Sequence, residues 1–246
     1  MPDETNGPVE IAQSVYWVGS HSEKRGLHCN PYLIVDDEAG VLLDPGSVLD
    51  FETVYSNVAA IIPIERIKYV VLHHQDPDLC SSLPLFEKWG LKAETVAHWR
   101  TSLFLQYYGL ESSCYLVNEH HFLLRLPSGR DLHFVPAPYM HSPGAIMTYD
   151  EQQRILFSGD VFGALSHGRT LFADDTYVEA MATFHEHYMP SNDIVRPVME
   201  ALSHMDISCI APQHGSIIRG VDSVRHHIET LRNLECGAFL TDVKRE

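Results

Sequence analysis

Residues 70–82, VVLHHQDPDLCSS, carry an apolar strand directly into two histidines, two aspartates and a proline. In extended chain, residues i and i+2 face the same way, so His74 and Asp76 converge just beyond the strand IKYVVL. Pro77 biases Asp76 towards extended geometry and fixes its own φ, so a stiff turn delivers Asp78. Taken alone, the stretch reads equally well as a loop whose aspartates cap the next helix and whose histidines are solvated.

Three further sites break that tie, because each places a strong metal ligand immediately after an apolar strand. His141 follows DLHFVPAPYM, Asp160 follows RILFSG, and His214 follows ISCIAPQ. Strand ends on one edge of a layered fold line a common cleft, which makes four such ends hard to dismiss as separate structural accidents. Gly144, Gly159 and Gly215 beside them leave room for tight turns and close backbone approach.

The surrounding pattern predicts a layered α/β architecture. VYWVG, then PYLIV and GVLLD around the turn DDEAG, read as strands, the last two as a hairpin. A helix is expected over about Val48 to Ile61, with Val48, Val54, Val58 and Ile61 at helical spacing. After the opening stretch come helix LPLFEKWG, strand ETVAH and helix TSLFLQYY. Residues 115 to 158 read as a second β-rich half containing CYLV, HFLLRL, DLHFVPA, AIMTY and RILFS. Helices return over Tyr177 to Tyr188 and Asp193 to Met205. Strand ISCIAP then precedes a terminal helix from Asp222, with Val224, Ile228, Leu231 and Leu234 on one face and Gly237 placed to end it. Two mixed halves whose helices cover the outer sheet faces give an α/β/β/α sandwich. Without a composition break, low-complexity tract or repeat, residues 1–246 read as one continuous domain.

Composition narrows the function classes. Lys+Arg 17 against Asp+Glu 33 gives a net charge of −16, which disfavours non-specific attraction to nucleic acid or anionic membrane. The five cysteines form no CxxC pair, so neither a disulfide framework nor a zinc ribbon is expected. The acidic start MPDETNGPVE has no apolar signal core and no run reaches membrane-spanning length, so a cytoplasmic protein is expected.

The order HxDxD, HSPG, LFSGDVFG and APQHG, with LLDPG at 42–46, resembles the metallo-β-lactamase fold over roughly residues 13 to 220. More narrowly, it is similar to the di-iron core of flavodiiron proteins and to free-standing oxygen-binding di-iron proteins. The hydrolases of that fold usually carry histidine at the middle position of the first motif, and this chain has Asp76. The resemblance implies one metal on His74, Asp76 and His141, a second on Asp78 and His214, and Asp160 bridging them. The histidine that such proteins usually carry directly after the last aspartate of the first motif is replaced by Leu79. That leaves the second metal to water, an exogenous ligand, or a histidine from elsewhere: His28, His167, His185 or His187. His73 is expected to support a ligand or to be exposed, and Cys80 to be a small half-buried thiol rather than a sulfur ligand.

Three imidazoles and three carboxylates, without thiolate, suit two iron ions, with manganese or zinc possible. Anionic oxygen ligands favour the higher oxidation state, so Asp76 in place of histidine moves the site towards redox work. The resemblance therefore implies a non-haem di-iron protein that binds, and in some members reduces, O2 or NO, with no catalytic residue beyond the metal ligands. The chain ends soon after the metal-binding part and offers no Gly/Ser/Thr-rich phosphate loop, so no FMN site or flavodoxin domain is expected. A separate electron donor or signalling partner and a homodimer are implied. The alternative is a binuclear metallohydrolase, for example a cyclic-nucleotide phosphodiesterase, which would need basic residues near the ligands. Arg169 and Arg219 are the nearest candidates.

Overall fold

The computed structural model describes residues 7–20, 27–37, 39–165 and 170–237. Its strands form two sheets. The first has seven strands in sequence order: β1 Val9–Ala12, β2 Val15–Trp17, β3 Tyr32–Asp36, β4 Ala39–Leu43, β5 Ile67–Val71, β6 Glu94–Ala97 and β7 Cys114–Leu116. β1 to β4 are antiparallel neighbours, whereas β4 to β7 are parallel and need helical crossovers. Those crossovers contain α1 Phe51–Ala59, α2 Pro77–Cys80, α3 Leu83–Lys88 and α4 Trp99–Leu105.

The second sheet has the order β13-β12-β11-β10-β9-β8, built from β8 Leu123–Arg125, β9 Asp131–Pro136, β10 Ile146–Asp150, β11 Ile155–Phe157, β12 Cys209–Ala211 and β13 Ile218–Arg219. Helices α5 Tyr177–Tyr188, α6 Asn192–Ser203 and α7 Val221–Asn233 cover its outer face. Because β9 and β11 are both antiparallel to β10, and β12 is parallel to β11, the C-terminal ends of β9, β11 and β12 lie on one edge.

Burial follows the four layers. Trp17, Ile34, Val41, Leu43, Val71 and Val96 of the first sheet meet Leu132, Phe134, Ile146, Phe157 and Ala211 of the second. The alternate residues Leu33, Leu42, Val70 and Leu72 pack outward on Phe51, Val54, Val58, Leu83 and Phe86. On the other side Met147, Leu156 and Ile210 pack on Tyr177, Met181, Val195, Met199, Val224 and Ile228. The expected α/β/β/α sandwich is thus observed, each strand sending successive side chains to opposite faces.

Four local readings are corrected. CYLV is β7 and pairs with β6 in the first sheet, not with the later strands. The first helix starts at Phe51, because Asp50 accepts hydrogen bonds from the Ser47 N–H and hydroxyl and closes a turn before it; Val48 is exposed. The strand in HFLLRL covers only Leu123–Arg125, since His121 and Phe122 both take positive φ, incompatible with extended pairing. The terminal helix ends at Asn233 with Leu234 already extended, ahead of Gly237.

His73 is buried, which removes the exposed alternative. Its imidazole pairs with Asp44 of the LLDPG turn through Nδ1 and with Thr148 Oγ1 at 2.9 Å through Nε2, while its carbonyl accepts from Ile146 N–H at 3.0 Å. It therefore ties the ends of β4 and β5 to β10, locking the two sheets together behind the opening motif.

Candidate metal centre

His74 and Asp76 leave the end of β5; Asp76 is extended (φ −72°, ψ 151°) and precedes α2, with Pro77 at that helix's first position and Asp78 in its first turn. His141 sits between β9 and β10, Asp160 just after β11, and His214 just after β12. The strand ends bring all six residues to one cleft. Gly144 permits this at the His141 loop, where a Cβ would lie 2.5 Å from Thr101 Oγ1 of α4.

The six residues divide into two sets around Asp160. Its Oδ2 lies 3.5 Å from His74 Nε2 and 2.9 Å from His141 Nε2, and both imidazoles also face Asp76 Oδ2, at 3.7 and 3.2 Å. Ligand atoms of His74, Asp76 and His141 all lie within 4.8 Å of one another, a spacing that could hold one ion. Its other oxygen, Oδ1, faces His214 Nε2 at 3.3 Å, and that nitrogen is 3.2 Å from Asp78 Oδ2. The side chains of Asp160, His74 and His214 are each 3% exposed and form the floor; Asp76, Asp78 and His141 are 25 to 36% exposed and form the rim.

Positive charge has to sit among these groups, as protons or as an ion. Burial alone would raise the Asp160 carboxyl, but His74, His141 and His214 together hold it well below the usual carboxylate range. Burial likewise opposes charge on His141 and His214, yet the facing carboxylates of Asp160, Asp76 and Asp78 lift both imidazoles to about 10. Hydrogen bonding from His141 lowers Asp76. His214 Nδ1 lies 2.8 Å from the His28 carbonyl and donates its proton there, so Nε2 is the nitrogen turned to the two carboxylate oxygens, holding a proton between them that an ion would displace. Among the described residues, buried Asp160 Oδ1 makes no hydrogen bond. Ring nitrogens and anionic oxygens face each other, so either protons or a metal must lie between them, and three imidazoles with three carboxylates fit a hard to borderline ion.

Support for the rim residues comes from groups that sequence reasoning missed. Gln75 donates to Asp76 Oδ1 at 2.9 Å and accepts from Ser142 Oγ at 2.7 Å; its carbonyl accepts from the Tyr108 hydroxyl at 2.7 Å. Gln213 donates to Asp78 Oδ2 at 3.1 Å. Asn30 donates to the carbonyls of Pro212 and Gly215 on either side of His214 and accepts from the Trp17 indole. Each glutamine is the immediate neighbour of a motif ligand, a signal available in the sequence; Asn30 and Trp17 carry none.

Leu79 is fully buried in the apolar layer with Leu42, Phe51, Leu83 and Phe86. Of the histidines considered in its place, His185 spends both ring nitrogens within the protein, on the Met181 carbonyl and the Phe162 N–H. His187 turns Nδ1 to the Thr183 carbonyl on an exposed face of α5. His28 is buried and supplies its carbonyl to His214, and His167 lies outside the described residues. Cys80 is fully rather than half buried. Burial pushes its thiol up to about 12, and Sγ donates to the Gln75 and Asp76 carbonyls. Arg219 is committed to the Ile11 carbonyl and the Phe172 ring, and Arg169 lies outside the described residues. Aromatic rings instead border the cleft: Tyr188 packs edge-on against His141 with centroids 5.0 Å apart and stacks on Phe184.

The family model for ODP family beta lactamases matches residues 27–215. A solved structure of the peroxy di-iron species of the chemotaxis sensor ODP is 30% identical, with a TM-score of 0.81 and 97% of each chain covered. The flavodiiron protein from Giardia intestinalis is 27% identical, with a TM-score of 0.79, covering 91% of this chain and 58% of that one. Nitric oxide reductase from Moorella thermoacetica is 27% identical over 235 residues, or 86% of this chain and 58% of the relative. The chain thus spans about a third to little more than half the length of the curated relatives it matches.

Proposed function

The chain belongs to the ODP family beta lactamases, and on that premise we propose that it is a non-haem di-iron protein that binds O2 or NO at a binuclear centre. The observation that carries the reading is the two-sided environment of Asp160, whose oxygens face different imidazole and carboxylate sets. His74, Asp76 and His141 would hold one ion, Asp78 and His214 the second, and Asp160 both. A ferrous pair bound there would supply the electrons and open coordination positions that O2 or NO requires. The residues of the chain do the remaining work. Gln75 and Gln213 orient the rim carboxylates, the His28 carbonyl fixes the tautomer of His214, and the Tyr188 and Phe184 rings border the cleft with apolar surface suited to a small neutral gas.

Support for gas binding over phosphodiester hydrolysis comes from the carboxylate at position 76 and from the commitment of Arg219 elsewhere, which removes a candidate phosphate-binding group. The chain acts as one di-metal domain, receives electrons from or signals to a separate protein, and works as a cytoplasmic homodimer. Among the described residues no helix is long and apolar enough to cross a membrane. Metal analysis after anaerobic purification from iron-replete cells tests the reading: about two ions per chain, mostly iron, are expected from the donor set. One ion or none would refute a binuclear centre.

A further inference from the structure

We propose that Tyr177 and His185, both on α5, are positioning residues for the metal centre, gripping Phe162 from its two ends and fixing the turn that presents Asp160. The inference rests on the binuclear reading of the cleft. The turn after β11 is tight: Val161 N–H donates to the Ser158 carbonyl, the Ser158 hydroxyl to the Val161 carbonyl, and Gly163 N–H to the Asp160 carbonyl at 2.9 Å. Within it Phe162, a fully buried aromatic residue, holds a left-handed φ of 64°, a conformation its side chain disfavours and its surroundings must impose.

Two side chains of α5 impose it. Phe162 N–H donates to His185 Nε2 at 3.1 Å, and the Tyr177 hydroxyl donates to the Phe162 carbonyl at 2.7 Å. Both are completely buried. His185 Nδ1 lies 2.7 Å from the Met181 carbonyl one turn back, so the proton sits on Nδ1 and Nε2 is left as an acceptor. Burial holds this imidazole down at about 4, so it stays a neutral acceptor at ordinary pH.

Tyr177 reaches a second ligand loop as well. A Cβ at Gly215, the residue after His214, would lie 2.5 Å from the Tyr177 hydroxyl, and Gly215 has a φ of +80°. The hydroxyl is therefore wedged between the turn carrying Asp160 and the turn carrying His214, the two residues that face each other across 3.3 Å. The same role explains why a histidine so near the cleft is not a ligand: it acts through the backbone of the Asp160 turn.

The test is titration of the apo full-length chain with Co2+ against a chelating dye, following the Co2+ d–d absorption, for wild type, Tyr177→Phe, His185→Leu and His185→Gln. Tyr177→Phe and His185→Leu are expected to lose roughly 10- to 100-fold in Co2+ affinity and to shift the absorption bands, the range typical of supporting residues at metal sites. His185→Gln keeps an acceptor for the Phe162 N–H and should stay close to wild type in both readouts, a rescue that a purely space-filling role would not give. Folded Tyr177→Phe and His185→Leu proteins with wild-type affinity and spectrum would overturn the proposal, as would a glutamine variant as weak as the leucine one. Should His185→Leu not fold, Tyr177→Phe decides alone, since it removes a single hydroxyl. Wild-type protein that takes up no Co2+ would overturn the binuclear reading and the clamp together, whereas a wild type that binds, with variants indistinguishable from it, overturns the clamp only.

Discussion

Replacing Leu79 with histidine puts an imidazole at the position where the resemblance to flavodiiron proteins leads one to look for a ligand. Leu79 has no solvent exposure and packs in the layer formed by Leu42, Phe51, Leu83 and Phe86, between the first sheet and its helices. Withdrawing the leucine side chain from that layer costs about 1.5 to 3 kcal/mol of apolar burial. An imidazole left there without a partner adds about 1 to 3 kcal/mol. The sum, roughly 2.5 to 6 kcal/mol, is a large share of the 5 to 15 kcal/mol that usually holds a domain together. For a chain of this size it corresponds to a fall in Tm on the order of 10 °C. Leu79→His is therefore expected to lower the thermal midpoint of the apo protein while leaving the affinity for the second ion unchanged. Calorimetry and a competition titration on the same preparation check both. A variant with wild-type stability and a tighter second ion would refute the packing argument and mean that position 79 turns to the metals.

Asp160→Asn should weaken both ions, by roughly 100-fold or more because a shared ligand is lost rather than a supporting one, whereas His214→Ala should spare the ion on His74, Asp76 and His141; stepwise metal titration separates the two patterns, and an Asn variant that retained both ions at wild-type affinity would exclude a bridge. The third expectation is a pH effect. Burial holds His185 at about 4 while the unfolded chain takes up that proton near pH 6.5, so stability is full above pH 6.5 and falls as pH drops towards 4, by roughly 3 kcal/mol for this group. Denaturation midpoints of the apo protein at pH 7 and 4.5 should accordingly diverge less in His185→Gln than in wild type, and equal divergence would sink the assignment.

Much of the fold was legible because the signals were local. Period-two strands, helical spacing, and a polar ligand directly after each apolar run are read within a few residues, and α5 falls on the expected Tyr177–Tyr188. The strand ends that gather His74, Asp76, Asp78, His141, Asp160 and His214 were legible for the same reason. What was not legible depends on partners distant in sequence. CYLV has the same local pattern whichever sheet it joins, and only its pairing with β6 decides. His73 looks like a loop residue until Asp44 and Thr148 close on it from two sheets. His185 reads as a possible ligand because its type is right; the turn at Phe162 that consumes it, 23 residues away, leaves no mark in the pattern around it.

A redox-active iron pair in the cleft around Asp160, open to a small gas, must react with that gas on mixing. The most direct test is anaerobic, iron-loaded, reduced protein mixed rapidly with O2 or NO while near-ultraviolet and visible absorbance is recorded, with cyclic-nucleotide hydrolysis measured on the same sample. A prompt absorbance change with either gas and negligible hydrolysis are expected. A spectrum that stays silent, together with a zinc-loaded form that cleaves a cyclic dinucleotide efficiently, would contradict the di-iron reading.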